Sequence, residues 1–379
     1  MKPFSITNYV ILFLILIGLG ILYKKFEDKR INEENKDNYE AIQKYLLDDV
    51  TLAKSKKPIL WIHVPYEYNS RKWLSFGSRS SFELNQPYLY LTVKSIIQQC
   101  DNSFTICIID DNAFKRLIPG WSINMNTISD PILNNMRKLG LMKLIHIYGG
   151  LLCPISFLCI KDLIGMYQKG IAGDKMFGCE TIDRNITSTT FDYYPSISFC
   201  GAPKDCQMVG ELIDFMQRTI SHDYTSASIF LGEFDRYIEK RVQKQKINIV
   251  SGSEIGTKTI EGKPIILDDL MADNYIHFYP NLYGILIPSD EILKRRKYEW
   301  FSRMSAKQVL ESNTILGNYM LLVSAEGGNN ILEPLQPSIN KEVKNKFVGF
   351  WRVPSGAPNY GVKPNFLGDN ITKQQYPGR

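Results

Sequence analysis

The chain has 379 residues, 44% of them hydrophobic, and a formal net charge of +6 at pH 7. This is an ordinary globular composition, long enough to bury a large core, and it contains no repeat or low-complexity tract. The one tight basic run, Lys294 to Lys297, is interpreted as a solvated helix face, so the sequence favours no nucleic-acid partner.

An uncharged apolar run lies close to the N-terminus. It reads YVILFLILIGLGILY from Tyr9 to Tyr23, and Phe4 and Ile6 extend it. A bilayer core needs about 17–25 predominantly apolar residues, so the run is long enough when its flank is included. No small-residue cleavage site follows, which favours an uncleaved transmembrane anchor over residues 4–23 rather than a secretory signal.

The charges beside this run predict its orientation. Only Lys2 precedes it, whereas four cations follow it, namely Lys24, Lys25, Lys29 and Arg30. The positive-inside rule therefore predicts a single-pass membrane protein with a cytosolic body. The seven cysteines agree, because an odd number lying partly in apolar runs is typical of buried thiols in a reducing compartment. The sequons at Asn185 and Asn370 are accordingly predicted to be unmodified.

Composition and periodicity divide the remaining chain into four segments. A charged stem at 24–57 has apolar residues at helical spacing and is predicted to be an amphipathic helix. An α/β domain is predicted over 58–245 and a mixed α+β extension over 246–353. The tail at 354–379 is rich in Pro, Gly and Asn and is predicted to be extended.

Strands and helices alternate within the α/β domain, which predicts a sheet of parallel strands. The predicted strands are Ile59–Val64, Phe104–Ile109, Leu151–Cys159, Lys175–Cys179 and Ser196–Cys200. The predicted helices are Tyr88–Cys100, Asp130–Tyr148, Val209–Ile220 and Ala227–Val242. A capping-box pattern from Ser305 to Gln308 predicts a later helix.

Common cofactor motifs are absent from the sequence. There is no Gly-x-Gly-x-x-Gly, no P-loop and no Cys-x-x-Cys. The four histidines are far apart along the chain, at His63, His146, His222 and His277. We therefore predict no zinc site and no other certain metal.

The most informative segment is KLIHIYGGLLCPISFLCIKDL, residues 143–163, in which a predicted helix meets a strand at Gly149 and Gly150. Two glycines permit a tight junction there. The segment resembles sugar transferases of the GT-A type, in particular the capsular-polysaccharide-synthesis and Och1-like mannosyltransferase families, whose helix enters Tyr-Gly-Gly and whose next strand leads to Asp-x-Asp. Leu60–His63 and Ile108–Asn112 also resemble the capsular family. This resemblance covers about residues 58–205 and implies a GT-A-like nucleotide-sugar transferase domain.

In those families the two aspartates hold Mg²⁺ or Mn²⁺ against the diphosphate of the sugar donor. Here the corresponding positions are occupied by Pro154 and Ser156, neither of which is a carboxylate. The resemblance therefore implies Mn²⁺ or Mg²⁺ only if Asp110 or Asp111 replaces the missing pair.

Six residues are candidates for binding a substrate: His63, Asp110, Asp111, Tyr148, Gly149 and Gly150. The aspartates follow a predicted parallel strand, and ligands usually bind at the carboxyl ends of such strands. An alternative is that Asp111 or Asn112 caps the next helix, and that His63 satisfies a core hydrogen bond. Asp268 and Asp269 repeat the strand-end pattern, but no family motif lies near them.

A second resemblance is carried by the segments WIHVPYEYNSRKW, LNQPYLYLTVKSI and FWRVPSGAP and by the sequence as a whole. These look like a group of proteins encoded by large DNA viruses, a resemblance that brings no activity with it. Three functions remain open. The first is a membrane-anchored glycosyltransferase that moves a sugar from a sugar nucleotide to an acceptor. The second is an inactive protein of that fold that serves as a structural or adaptor component of a viral membrane. The third is a sugar-binding module. The expected partners are a membrane, such as the inner membrane of a virion, a sugar nucleotide, and proteins of the virion or the membrane assembly.

Overall fold

The computed structural model describes residues 57–65, 86, 88–128, 132–182, 193–222 and 232–325, apart from 296, 303 and 305, together with residue 25. The predicted anchor, the tail, both sequons and nearly all of the predicted stem lie outside these residues. Within them no helix is both long enough and apolar enough to cross a membrane.

The strands of the described residues confirm the α/β class. They are β1 (Ile59–His63), β2 (Thr105–Ile109), β3 (Gly150–Leu152), β4 (Phe157–Cys159), β5 (Phe177–Ile182), β6 (Tyr193–Ala202), β7 (Asn248–Val250) and β8 (Gly284–Leu286). Six of them form one sheet in the order β2-β1-β3-β6-β5-β7. β1 is parallel to β2 and β3, and β5 is parallel to β7, whereas β6 is antiparallel to both β3 and β5.

Helices connect the strands and cover the sheet. They are α1 (Leu89–Cys100), α2 (Ala113–Leu117), α3 (Ile132–Tyr148), α4 (Ile164–Gly170), α5 (Gln207–His222), α6 (Glu233–Gln243), α7 (Leu267–Leu270), α8 (Ser289–Lys294), α9 (Glu299–Ser302), α10 (Ala306–Leu310) and α11 (Ile315–Ser324). Short 3-10 turns lie at Met125–Thr127 and Gly252–Ile255.

β1 is buried on both faces, which explains its continuous apolar sequence. Ile59 and Trp61 point to one side, into a core that they share with α2, α3, α5 and α6. Leu60 and Ile62 point to the other side and have no exposed surface. Because both neighbours of β1 are parallel strands, its carboxyl end lies next to theirs.

A second hydrophobic core contains the C-terminal part of the described chain. Its members come from residues 88–91, 158–160 and 265–323, and include Tyr88, Leu158, Phe301 and Tyr319. β4 pairs with β8 in a separate antiparallel sheet. The segment predicted as an extension therefore shares its core with α1, and it also adds β7 to the main sheet.

The prediction of one strand over Leu151–Cys159 is wrong. The structure has two short strands there, β3 in the main sheet and β4 in the small one, separated by the segment Cys153–Ser156. Pro154 lacks the N–H group that an inner strand position needs, so pairing stops before it.

The prediction for Asp268 and Asp269 is also wrong, because these residues do not follow a strand. Both lie in the first turn of α7. The Asp269 carboxylate accepts a hydrogen bond from the backbone N–H of Ile266 at 3.0 Å. Asp269 therefore satisfies a donor at the start of the helix.

The described residues of the basic run that follow Lys294 do not lie on a helix face, since α8 ends at Lys294. The Arg295 Nη1 and Lys297 Nζ atoms lie 2.7 and 2.9 Å from the Asp268 carboxylate, and the Tyr298 hydroxyl donates to it at 2.6 Å. Burial alone would raise the pKa of Asp268, but these hydrogen bonds and charges hold it well below the usual value. The run thus joins α7 to the segment after α8.

The junction between α3 and β3 is as tight as the sequence predicts. Gly149 and Gly150 have φ angles of +73° and +108°. Residues that carry a Cβ atom rarely adopt such positive φ angles. A Cβ on Gly150 would overlap the carbonyl oxygen of Ile59, and one on Gly149 would lie 2.7 Å from the backbone nitrogen of Lys204. The Gly149 carbonyl also accepts a hydrogen bond from Trp61 Nε1 at 3.0 Å. These glycines let β3 lie against β1.

All seven cysteines lie within the described residues, and each is buried and free of a disulfide. Burial raises the pKa of the Cys107 and Cys200 thiols to about 12. The prediction of buried thiols is confirmed, whereas the reducing compartment remains a prediction.

The junction predicts a large effect for one methyl group. Gly150→Ala should lower the free energy of unfolding by about 3 kcal/mol or more, because a strained φ and a backbone overlap act together. Gly120→Ala is the matched control, since Gly120 has a φ of +74° but no atom within 4 Å of the added Cβ. Its cost should be only about 1 kcal/mol. Urea denaturation measures both, and equal losses would contradict the close approach of β3 to β1.

Candidate functional site

The strands β1, β2 and β3 end at one edge of the sheet, named here the carboxyl edge. His63 ends β1 and pairs with Ile109, which ends β2. The Val64 N–H donates to the Ile109 carbonyl at 2.8 Å, so the two chains leave the sheet side by side. Asp111 follows two residues later. The structure therefore brings together two of the candidates that the sequence singled out.

Asp111 is the centre of a hydrogen-bonded network. Its Oδ1 accepts from His63 Nε2 at 2.9 Å and from Arg137 Nε at 3.0 Å, and its Oδ2 accepts from Arg137 Nη2 at 2.7 Å. The side chains of His63, Asp111 and Arg137 are only 9%, 11% and 6% exposed. This is a nearly buried bidentate ion pair with a histidine attached, and it joins the ends of β1 and β2 to α3.

The partners of Asp111 fix its charge. Burial alone would raise the pKa of this carboxyl, but hydrogen bonds from His63 and Arg137 and their electrostatic attraction hold it below the usual value. Asp111 is therefore a carboxylate, which only accepts hydrogen bonds, so His63 Nε2 carries a proton. In a neutral imidazole Nδ1 is then an acceptor, and no described residue hydrogen-bonds to it.

Aromatic packing holds the His63 ring in this orientation. The ring of Phe114 stacks on it with centroids 5.5 Å apart and planes tilted by 21°. Phe114 in turn packs against Trp121, with centroids also 5.5 Å apart. A Cβ at Gly140 of α3 would lie 3.0 Å from the Phe114 ring, so the glycine leaves room for this ring. The imidazole is thus fixed by a hydrogen bond at one atom and by stacking on one face.

Asp110 has a structural role. Its Oδ1 accepts from the Ala113 N–H at 2.9 Å, and its Oδ2 accepts from Asn112 Nδ2 at 3.1 Å. These bonds satisfy a donor at the start of α2. The alternative that a side chain here caps the next helix is therefore correct. The capping residue is Asp110, however, and not Asp111 or Asn112 as the alternative proposed.

The other three candidates lie at the opposite edge of the sheet. Tyr148 ends α3 and Gly150 begins β3, so both residues and Gly149 lie where the strand starts. The Tyr148 hydroxyl donates to the Leu117 carbonyl at 2.9 Å. Tyr148, Gly149 and Gly150 shape the backbone and the core, and the structure does not bring them to His63 and Asp111.

The segment Cys153–Ser156 lies at the carboxyl end of β3, where the resemblance expects metal ligands. Pro154 offers no side-chain ligand, and Ser156 is only 6% exposed. The backbone of this segment is held from both sides, since the Thr92 hydroxyl donates to the Ile155 carbonyl at 2.6 Å and the Ile287 N–H donates to the Ser156 carbonyl at 3.1 Å.

The residues present do not fit a divalent cation. Such an ion needs oxygen atoms from several ligands. The oxygens of Asp111 accept hydrogen bonds from His63 and Arg137, and those of Asp110 accept from Ala113 and Asn112. In the part of the chain that the structure describes, no group of three or more His, Cys, Asp or Glu side chains is arranged to hold a metal ion. The geometry therefore gives no support to Asp110 or Asp111 as a replacement for the missing pair.

Arg137 is the member of the network that the sequence interpretation missed. A usable signal was nevertheless present, because Arg137 lies on the same helical stripe as Leu133 and Leu144. A cation on a buried stripe requires a buried partner.

No protein family model matches this sequence, and no curated protein is similar to it at a significant level. The functional argument therefore depends on the fold and on the geometry of the carboxyl edge.

The first prediction for this site concerns the ion pair. Arg137→Met keeps an apolar side chain of similar length but leaves the Asp111 charge without its main partner, which should cost about 3–5 kcal/mol of unfolding free energy. Arg236→Met is the control, because Arg236 is 4.0 Å from Glu233 and both side chains are about one-third exposed. Its cost should stay below about 1 kcal/mol. Similar small losses in both variants would show that the Arg137 pair is not buried in solution.

The second prediction follows from the lowered pKa of Asp111. Below the unfolded-state pKa of about 3.9, the unfolded chain binds a proton at this carboxyl before the folded chain does, so stability falls as pH falls. The contribution of Asp111 is complete above that value and is lost as pH falls through the folded pKa. Urea denaturation from pH 7 down to pH 3 should show a smaller loss in Asp111→Asn than in the natural chain. Parallel pH profiles would contradict this assignment.

Proposed function

We propose that this chain is a glycosyltransferase-like protein of the GT-A type that binds a sugar nucleotide at the carboxyl edge and transfers the sugar without an Asp-x-Asp metal site. The observation that carries the proposal is the direction of the chain around β1. After β1 the chain goes to β2 on one side, whereas after β3 it moves away on the other side. In open α/β sheets, ligands bind in the crevice that such a reversal creates.

The helix-to-strand junction supports the same assignment. α3 ends at Tyr148, and Gly149 and Gly150 lead directly into β3, in the order that the resemblance to the capsular and Och1-like families implies. β3 then leads to Pro154 and Ser156 at the carboxyl edge. This order of elements supports the proposal, although the carboxylates that the resemblance implies at the end of β3 are absent from this sequence.

Without a metal, side chains must offset the charge of the leaving diphosphate. Lys115 and Arg116 are exposed on α2, within five residues of Asp111, and α2 starts directly after the carboxyl end of β2. Arg137 adds no net positive charge, because Asp111 balances it. Lys115 and Arg116 are therefore the groups that make the carboxyl edge suitable for an anionic ligand.

Calorimetric titration of the full-length chain in detergent tests this function. UDP-linked and GDP-linked sugars should bind saturably in the presence of EDTA, with dissociation constants between about 1 μM and 1 mM, the usual range for enzyme substrates. Adding Mn²⁺ should leave the affinities unchanged. Binding that requires Mn²⁺ would contradict the metal-free site, and the absence of heat across the whole panel would refute sugar-nucleotide binding. Free sugars are the control ligands, and binding of these alone would identify a sugar-binding module.

A second candidate is favoured by one specific observation. Pro154 and buried Ser156 stand where metal ligands are expected, and Asp111 is fully engaged within the protein. An inactive protein of this fold, held on a cytosol-facing or virion membrane by the predicted anchor at 4–23, would act as a structural or adaptor component. In the titrations above such a protein would give no heat with any sugar nucleotide.

A further inference from the structure

We propose that His63 is the proton acceptor of the transfer reaction, with Asp111 as its positioning residue. This inference rests on the proposed function and adds a catalytic residue to it. No metal takes part in the argument, which depends on the hydrogen bonds, the stacking and the position of the imidazole ring.

The hydrogen bond to Asp111 occupies one ring nitrogen and leaves the other. Asp111 accepts from Nε2 at 2.9 Å, so when the ring is neutral its proton is on Nε2 and its lone pair is on Nδ1. Among the described residues none donates to Nδ1. An aspartate that holds one imidazole nitrogen while the other accepts a proton is the arrangement that activates a hydroxyl group in acid–base catalysis.

The rest of the network keeps this arrangement rigid. Arg137 binds both oxygens of Asp111, at 3.0 Å through Nε and 2.7 Å through Nη2, so the carboxylate cannot rotate away from His63. Phe114 covers one face of the ring. When the ring takes up a proton, the negative Asp111 stabilises the imidazolium that forms. A base held in place in this way loses little energy to reorganisation during the reaction.

His63 also lies where the reaction has to take place. β1 and β3 pair in the register Leu60 with Leu151 and Trp61 with Leu152. His63 is the last residue of β1 and Pro154 follows the end of β3 by two residues, so both lie at the carboxyl edge. His63 is therefore at the edge of the sheet where the proposed function has the donor bind.

The step balances without any further reagent. The hydroxyl oxygen of the acceptor forms a bond to the anomeric carbon of the donor sugar, and its proton passes to Nδ1 of His63. The bond between the anomeric carbon and the diphosphate oxygen breaks, and the nucleoside diphosphate leaves with that electron pair. Water reacts in the same way when no acceptor is present, and it gives free sugar and nucleoside diphosphate.

Release of nucleoside diphosphate from the sugar-nucleotide panel tests the role of His63 in the full-length chain. His63→Gln keeps a hydrogen-bonding side chain but removes the base. It should lower kcat by about 10²–10⁴-fold, the usual contribution of general base catalysis. KM should stay within about threefold, since an interaction made only in the transition state does not alter ground-state binding. His277→Gln is the matched control, because His277 is exposed and its ring packs only on Tyr275 among the described aromatic rings, and it should leave both constants unchanged.

Asp111→Asn provides a second variant, which also removes the partner of the Arg137 charge. The Asn amide can donate to Nε2, which moves the ring proton to Nδ1 and removes the acceptor without changing the shape of the side chain. A loss of kcat comparable to that of His63→Gln is expected. Thermal denaturation of each variant identifies any loss that comes from unfolding.

The outcomes separate this inference from the function on which it rests. Donor binding with equal turnover in the natural chain and His63→Gln would overturn the role of His63 but leave sugar-nucleotide binding intact. Donor binding without turnover in the natural chain would overturn it as well. A loss of turnover that follows only a loss of donor affinity would give His63 a binding role instead. The absence of donor binding would remove the proposed function itself.

Discussion

The carboxylate of Asp111 is the charge around which the centre of the molecule is organised. It is almost buried, so its free energy depends on the two bonds from Arg137 and the one from His63. Through these bonds the ends of β1 and β2 are tied to α3. Because α3 leads through Gly149 and Gly150 into β3, the same charge indirectly sets the position of all three strands that form the carboxyl edge.

Local patterns in the sequence were sufficient for much of the fold. The alternation of apolar strands and amphipathic helices predicted the α/β class, and the paired glycines predicted the junction because glycine alone adopts a positive φ without strain. The break at Pro154 could have been inferred from the missing N–H group. The network at the site could not be predicted in this way, since His63 and Arg137 lie 48 and 26 residues from Asp111 and no periodic rule connects such distances.

The double role of Asp111 affects how any functional measurement should be interpreted. The same carboxylate balances the buried charge of Arg137 and orients the imidazole of His63. A change at Asp111 therefore alters both the stability of the fold and the proposed chemistry. A change at His63 removes Nδ1, the proposed proton acceptor, and leaves the ion pair between Asp111 and Arg137 intact. The energetic and the chemical contributions of this edge can be separated at His63 but not at Asp111.

The buried position of Ser156 has a consequence for how this chain could change over time. An aspartate at position 156 would place a carboxylate where the present serine is only 6% exposed. The backbone of this segment is also held by hydrogen bonds to the Ile155 and Ser156 carbonyls. An unpaired charge in such a place is destabilising by several kcal/mol. Substituting Pro154 and Ser156 alone would therefore not create a metal site, because the packing of α1 and β8 around the segment would have to open first. A metal-dependent mechanism would therefore require coordinated changes in several elements of the fold, and substituting these two residues would not be enough.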